Sequence, residues 1–101
     1  MKKITKLSEY QNLLNQPGKH VIKISASWCN PCKTLASTIQ TLDQDIQDLF
    51  VEIDADEAEG DLINNLNVRN VPVLIFYNQS KEYNRTVGAV TKEKIIQCIS
   101  Q

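Results

Sequence analysis

The segment Ser27-Trp28-Cys29-Asn30-Pro31-Cys32-Lys33 carries two cysteines with two residues between them. The residues before it, Val21 to Ala26, are rich in β-branched side chains and predict a strand. From Pro31 onward, Leu35, Ile39, Leu42 and Ile46 recur at intervals of four, three and four, which predicts one helix of about four turns. Cys29 then falls near the N-cap, its sulfur close to unpaired backbone N–H groups and the positive end of the helix dipole. Pro31 suits the first turn, where its missing N–H is no loss. Cys32 lies one turn along, more sheltered and within disulfide reach.

Such a position favours thiolate over thiol, and comparable sites fall from about 8.5 to about 3.5–7.5 in pKa. Nucleophilicity falls with pKa, with a Brønsted slope of about 0.4–0.5, so part of that gain is returned. Fast exchange therefore also needs the substrate disulfide and Cys32 held in position. Two bland readings compete. A purely structural disulfide across so short a loop would constrain the unfolded chain by only about 2 kcal/mol. Half of a zinc site would need two more ligands, and only Cys98 and His20 remain, without a second pair. Thiol–disulfide chemistry is the reading these residues favour, and no metal is expected.

The rest of the chain must position that pair. It has 101 residues, 42% hydrophobic and 23% charged, with a net charge of -1. This is the mixture of one globular domain, expected over residues 1–101. No basic stripe suits a nucleic-acid backbone, and the two arginines, Arg69 and Arg85, lie far apart in sequence. No apolar run spans a bilayer, and Met1 to Tyr10 lacks the apolar stretch of a signal peptide, so a cytoplasmic location is expected.

Apolar and amphipathic runs alternate, predicting an α/β domain in the order β-α-β-α-β-α-β-β-α. Ile4-Thr5-Lys6 is a candidate edge strand, followed by a helix with a Ser8/Gln11 capping box that ends before Pro17-Gly18. Leu49 to Ile53 predicts a strand ending at Asp54, and Asp61 to Leu66 a short helix. Val73 to Tyr77 is continuously apolar, as a strand buried on both faces would be. After a turn at Asn78-Gln79-Ser80, Tyr83 to Val87 returns antiparallel. Thr91 caps a last helix with Ile95, Ile96 and Ile99 on its apolar side.

Trp28-Cys29-Asn30-Pro31-Cys32-Lys33 after a strand resembles the active site of thioredoxins. Phe50-Val51-Glu52-Ile53-Asp54-Ala55-Asp56 resembles that family's third strand and its Asp. Val68-Arg69-Asn70-Val71-Pro72-Val73 resembles its cis-proline segment, and Val87-Gly88-Ala89 its late glycine. The resemblance implies a thioredoxin fold, a central mixed β-sheet flanked by helices, acting as a protein-disulfide reductase. It implies Cys29 as attacking thiolate and Cys32 as resolving thiol, with no cofactor beyond their redox-active disulfide. Trp28, Val71, Pro72, Gly88 and Ala89 would bind an extended substrate segment, with Val71-Pro72 cis. Asn30, Pro31 and Asp54 would support the active-site loop. Partners would be disulfide-containing proteins and a thioredoxin-reductase-like flavoenzyme, with the chain a monomer. Alternatives are a specialised redox donor, a weak oxidant, or an interaction module that does not need its thiols.

The chain departs from that family's pattern in four respects, at five positions. Asn30 replaces a glycine, Ser37 a helix-kinking proline and Ser25 a second tryptophan. Lys23 replaces the buried acid that exchanges a proton with the resolving thiol, and Phe50 stands where that acid's lysine partner would be. A Lys23 ammonium beneath the pair would favour thiolate and make the protein more oxidising. Neutralised by burial, Lys23 would instead be a base for Cys32. Alternatively its stem snorkels to water and the charge does little. Cys98 is expected to pack as a bystander, His20 to be solvated, and the acids from Asp54 to Asp61 to form a solvated turn.

Overall fold

The computed structural model describes all residues, Met1–Gln101. Five strands form one mixed sheet: β1 (Lys2–Lys3), β2 (Lys19–Ser25), β3 (Phe50–Asp54), β4 (Val73–Asn78) and β5 (Lys81–Val87). Their spatial order is β1-β3-β2-β4-β5. β1 and β2 run parallel to β3, whereas β4 runs antiparallel to both β2 and β5. The helices are α1 (Leu7–Leu14), α2 (Asn30–Gln40), α3 (Gln44–Gln47), α4 (Gly60–Leu66) and α5 (Lys92–Ile99).

The alternation of side chains along the strands divides the core between two faces. Ile22, Ile24, Ile53, Val73, Ile75 and Tyr77 pack with Tyr10 and Leu13 of α1 and Leu62 and Leu66 of α4. Val21, Phe50, Leu74 and Phe76 pack on the other face with Leu35 and Ile39 of α2 and Ile95 and Cys98 of α5. β4 is covered on both sides, as its unbroken apolar run predicts. The same alternation puts Lys23, between Ile22 and Ile24, on the face covered by α2. β4 and β5 join through Gln79 and Ser80, which have φ values of 51° and 70°. Two consecutive left-handed residues match the twist of the paired strands.

The first strand and helix differ from expectation for one shared reason. Glu9 Oε1 accepts the N–H groups of both Thr5 and Lys6, each at 3.0 Å. Those donors are therefore unavailable to a strand at Ile4–Lys6, and pairing stops with the Ile4 N–H on the Glu52 carbonyl. The helix starts at Leu7, with Lys6 as N-cap, ahead of the expected Ser8/Gln11 box. The stripe from Leu35 to Ile46 also belongs to two helices, not one. Thr41 Oγ1 donates to the Thr38 carbonyl, and Gln47 Nε2 to the carbonyls of Gln40 and Leu42. These side chains satisfy the broken end while Leu42 stays buried. In α5, Ile95 is buried but Ile96 is 38% exposed, so the apolar side is narrower than expected.

The hydrogen bonds to the Glu9 carboxylate hold its pKa below the ordinary 4.5. Glu9 thus stabilises the fold at and above the unfolded-state value, and loses that effect as pH falls through the lower folded-state value. Glu9→Ala should lower the Tm at neutral pH, with the gap to wild type closing as unfolding is followed below pH 4.5. Thr91 Oγ1 accepts the Lys94 N–H at 3.2 Å. Thr91→Ala should cost about 0.5–1 kcal/mol in denaturant unfolding, as an exposed N-cap does.

Candidate active site

β2 ends at Ser25, and a tight turn leads into α2, with the Cys29 N–H on the Ala26 carbonyl at 3.2 Å. Cys29 is the N-cap, in extended conformation at φ -94° and ψ 112°. Its Sγ accepts the Cys32 N–H at 3.2 Å, the place an N-cap oxygen usually takes. Pro31 occupies the first turn. Cys29 and Cys32 are joined as a disulfide, with Cα atoms 5.2 Å apart.

Both cysteines are sheltered, Cys29 at 5% and Cys32 at 3% exposure, so the expected contrast between them is slight. They pack with Ala26 and Val71. The Val71-Pro72 peptide is cis, and the Val71 carbonyl lies 3.8 Å from Cys29 Sγ. The Pro72 carbonyl accepts the Gly88 N–H at 2.9 Å, tying the end of β5 to this loop. Gly88 has φ +90°, a conformation that suits glycine. Ala89 follows it and is exposed; no hydrogen bond links it to the cysteines. Asn30 is likewise exposed, its carbonyl accepting Thr34 Oγ1.

Trp28 is 69% exposed, far more than a core tryptophan. Its Nε1 donates to Asp56 Oδ2 at 2.9 Å, and the Asp56 N–H donates to Asp54 Oδ1 at 2.8 Å. Asp54 thus shapes the loop that holds Trp28 rather than touching either sulfur. Trp28, Ala55, Ile63, Val68 and Val71 line an apolar groove of about 410 Å³ beside the pair.

Cys32 faces a second cavity, of about 350 Å³, shared with Lys23, Ser25, Glu52 and Asp54. Lys23 Nζ is 3.1 Å from Glu52 Oε1, which also accepts Ser25 Oγ at 3.2 Å. The lysine side chain is 6% exposed and the glutamate 27%. Lys23 therefore does not reach bulk water, nor is it an unpaired ammonium. Neither Glu52 nor Asp56 stood out in the sequence as a site residue. Glu52 sits directly opposite Lys23 in the parallel β2–β3 register, and opposite charges within two apolar strands were the available signal. A glutamate two positions past Phe50 restores a charge pair beneath the active site, with its polarity reversed.

Other candidates lie elsewhere. The largest cavity, about 590 Å³, is lined by Lys2, His20 and Phe50 at the opposite end of the sheet and contains neither Cys29 nor Cys32. Cys98 is fully buried, and Asn84 Nδ2 donates to its sulfur at 3.4 Å. The His20 ring lies 3.2 Å from the Gln16 carbonyl. Of the acidic run, Glu57 pairs with Lys3 and Glu59 accepts the Leu7 N–H.

The thioredoxin family profile matches residues 1–101. Thioredoxin-2 of Saccharomyces cerevisiae is 38% identical over 84 residues, covering 81% of this chain and 80% of that protein. Thioredoxin of Gallus gallus is 31% identical over 102 residues, covering 98% and 95%. Among solved structures, oxidised mitochondrial thioredoxin 3 of Saccharomyces cerevisiae superposes with a TM-score of 0.87 at 30% identity, covering 99% of this chain and 93% of that one. Thioredoxin of Fasciola hepatica superposes with a TM-score of 0.86 at 25% identity, covering 99% and 97%. A Cys-x-x-Cys disulfide at a helix N-cap, on this sheet order and with these relatives, makes the chain a member of the thioredoxin family of thiol–disulfide oxidoreductases.

Proposed function

We propose that the chain, as one domain over residues 1–101, reduces disulfides in other proteins through Cys29 and Cys32. One observation carries this reading: Cys29 Sγ accepts the Cys32 N–H at the start of α2 while bonded to the Cys32 sulfur. The same N–H and the helix dipole stabilise negative charge on Cys29 once the disulfide is reduced. The Cys29 thiolate attacks one sulfur of a substrate disulfide, and the other leaves as a thiolate that takes up a proton. Cys32 loses its proton and attacks Cys29 Sγ in the mixed disulfide. The Cys29–Cys32 bond forms, the second substrate sulfur leaves and is protonated, and two electrons have passed to the substrate.

The groove along Trp28 and Val71 suits an extended segment, with the Val71 backbone available for hydrogen bonds. Gly88 and Ala89 continue that surface just past β5, and the buried Pro72 backs it, its carbonyl holding the Gly88 N–H. Trp28 offers a large apolar face whose orientation is held through Asp56 and Asp54. Asn30 and Pro31 shape the turn between the cysteines. A thioredoxin-reductase-like flavoenzyme returns the two electrons, and the chain works as a monomer.

Lys23 acts on Cys32 as part of a pair. Opposite charges 3.1 Å apart largely cancel at a distance, so the pair supplies less field than a lone ammonium. Loss of Lys23 alone leaves the Glu52 carboxylate uncompensated beside the cavity that Cys32 faces. That charge disfavours a thiolate in the reduced pair and so disfavours the reduced form.

Insulin reduction driven by dithiothreitol should fall to the uncatalysed rate in Cys29→Ser. Cys32→Ser should accumulate a covalent complex with substrate, visible on a non-reducing gel. Activity that survives Cys29→Ser would remove the reductase reading and favour an interaction module. Lys23→Met should make the reduction potential more negative, by on the order of 10–30 mV, equivalent to about 0.5–1.4 kcal/mol. Adding Glu52→Gln should bring it back toward wild type. An unchanged or more positive potential in Lys23→Met would contradict the electrostatic role.

A further inference from the structure

Arg69 and Arg85, sixteen residues apart in the chain, line one cavity of about 250 Å³ together with Asn67, Asn70 and Val87. No acidic side chain lines it. The chain has no other arginine, so both of its arginines border this one cavity. We propose that this cavity is a subsite for a carboxylate side chain of the substrate protein, placed next to the disulfide being reduced. The proposal rests on the reductase reading and adds to it a preference among substrates.

The two arginines play different parts. Arg85 projects from β5, where Nε and Nη2 donate to the two oxygens of Glu82, each at 2.8 Å. Its Nη1 donates to the Asn67 carbonyl at 3.3 Å, just past the C-terminus of α4. Three of its five N–H groups are thereby used, and Glu82 offsets much of its charge. Arg85 is the fixed wall. Arg69 takes part in none of the three ion pairs of the molecule, so its fork and its charge are available to a ligand. A planar guanidinium is the group that best matches a carboxylate, through two parallel N–H bonds.

Position relates this cavity to the cysteines. Arg69 and Asn70 line both it and the apolar groove that holds Trp28 and Val71, forming the ridge between the two. Arg69 precedes Val71, whose carbonyl lies 3.8 Å from Cys29 Sγ, by two residues. A substrate strand on the Val71 backbone advances about 3.3 Å per residue, so an acid about two or three residues from its cysteine meets Arg69. Val87, 63% exposed, offers an apolar margin on the β5 side of the cavity. The net charge of -1 provides no general attraction for acidic partners, so the preference must be local.

The test uses reduced protein and three disulfide peptides that differ at one residue. One has Asp about two residues from the cysteine, one has Gln there, and one has Gln there with the Asp moved to the far end. Wild type should reduce the near-Asp peptide with a kcat/KM about threefold above the Gln peptide, the scale of an exposed ion pair. Raising the ionic strength should shrink that ratio. Arg69→Gln should bring it close to one, Arg69→Lys should retain part of it, and Arg69→Glu should invert it. Equal rates for near-Asp and Gln peptides in wild type would overturn the subsite. So would equal gains from near and remote Asp, which mark long-range steering, or a ratio that survives Arg69→Gln. A failed reductase reading looks different: none of the three peptides would then be reduced faster than by the Cys29→Ser variant.

Discussion

A helix leaves its first N–H groups without partners inside the helix, and here a sulfur takes one of them. Cys29 Sγ accepts the Cys32 N–H at 3.2 Å, which couples the two cysteines through backbone as well as through their disulfide. This contact holds the Cys29 sulfur at the positive end of the dipole and the Cys32 sulfur one turn away. It requires β2 to end at Ser25 and α2 to begin at Asn30, with only a short turn between. The sheet meets that requirement by burying β2 between β3 and β4 and covering it with helices on both faces. Val71, from the loop before β4, closes the third side of the pair.

Beneath that contact the molecule keeps a buried charge but not a single one. Lys23 costs free energy where it sits, because an ammonium loses its hydration in the space under α2. Glu52 and Ser25 offset that cost by closing a small polar network, and the register of β2 against β3 brings lysine and glutamate side by side. Ser25 contributes its hydroxyl, which donates to Glu52 Oε1 at 3.2 Å. Lys23 and Ser25 thus meet in one network through Glu52, whereas Phe50 packs in the apolar core with Leu35 and Ile39.

The elements and chemistry that depend on local pattern were legible in the sequence. β4 announced itself by unbroken apolarity, α5 by the Thr91 cap, and the redox pair by its spacing and its place between strand and helix. Features that depend on which side chain captures a given backbone group, or on segments distant in the chain meeting, were not. Ile4–Lys6 reads as a strand until Glu9 captures its N–H groups, and Leu42 fits a helical stripe although the backbone there has left the helix. Asp56 looks like one acid among several until Trp28 Nε1 is found on it. The two arginines seemed unrelated until the end of α4 and strand β5 brought them to one cavity. Each miss concerns a specific hydrogen bond, local or tertiary, or a shared cavity, which periodicity does not encode.

The central claim is that the helix N-terminus makes one sulfur of the reduced protein the reactive one. Brief alkylation of the reduced, folded protein with iodoacetamide at about pH 6, followed by peptide mass mapping, tests it directly. The label should appear on Cys29 first, with Cys32 and the fully buried Cys98 modified only after unfolding. Equal labelling of Cys29 and Cys32, or labelling no faster than an unstructured cysteine peptide, would contradict the account.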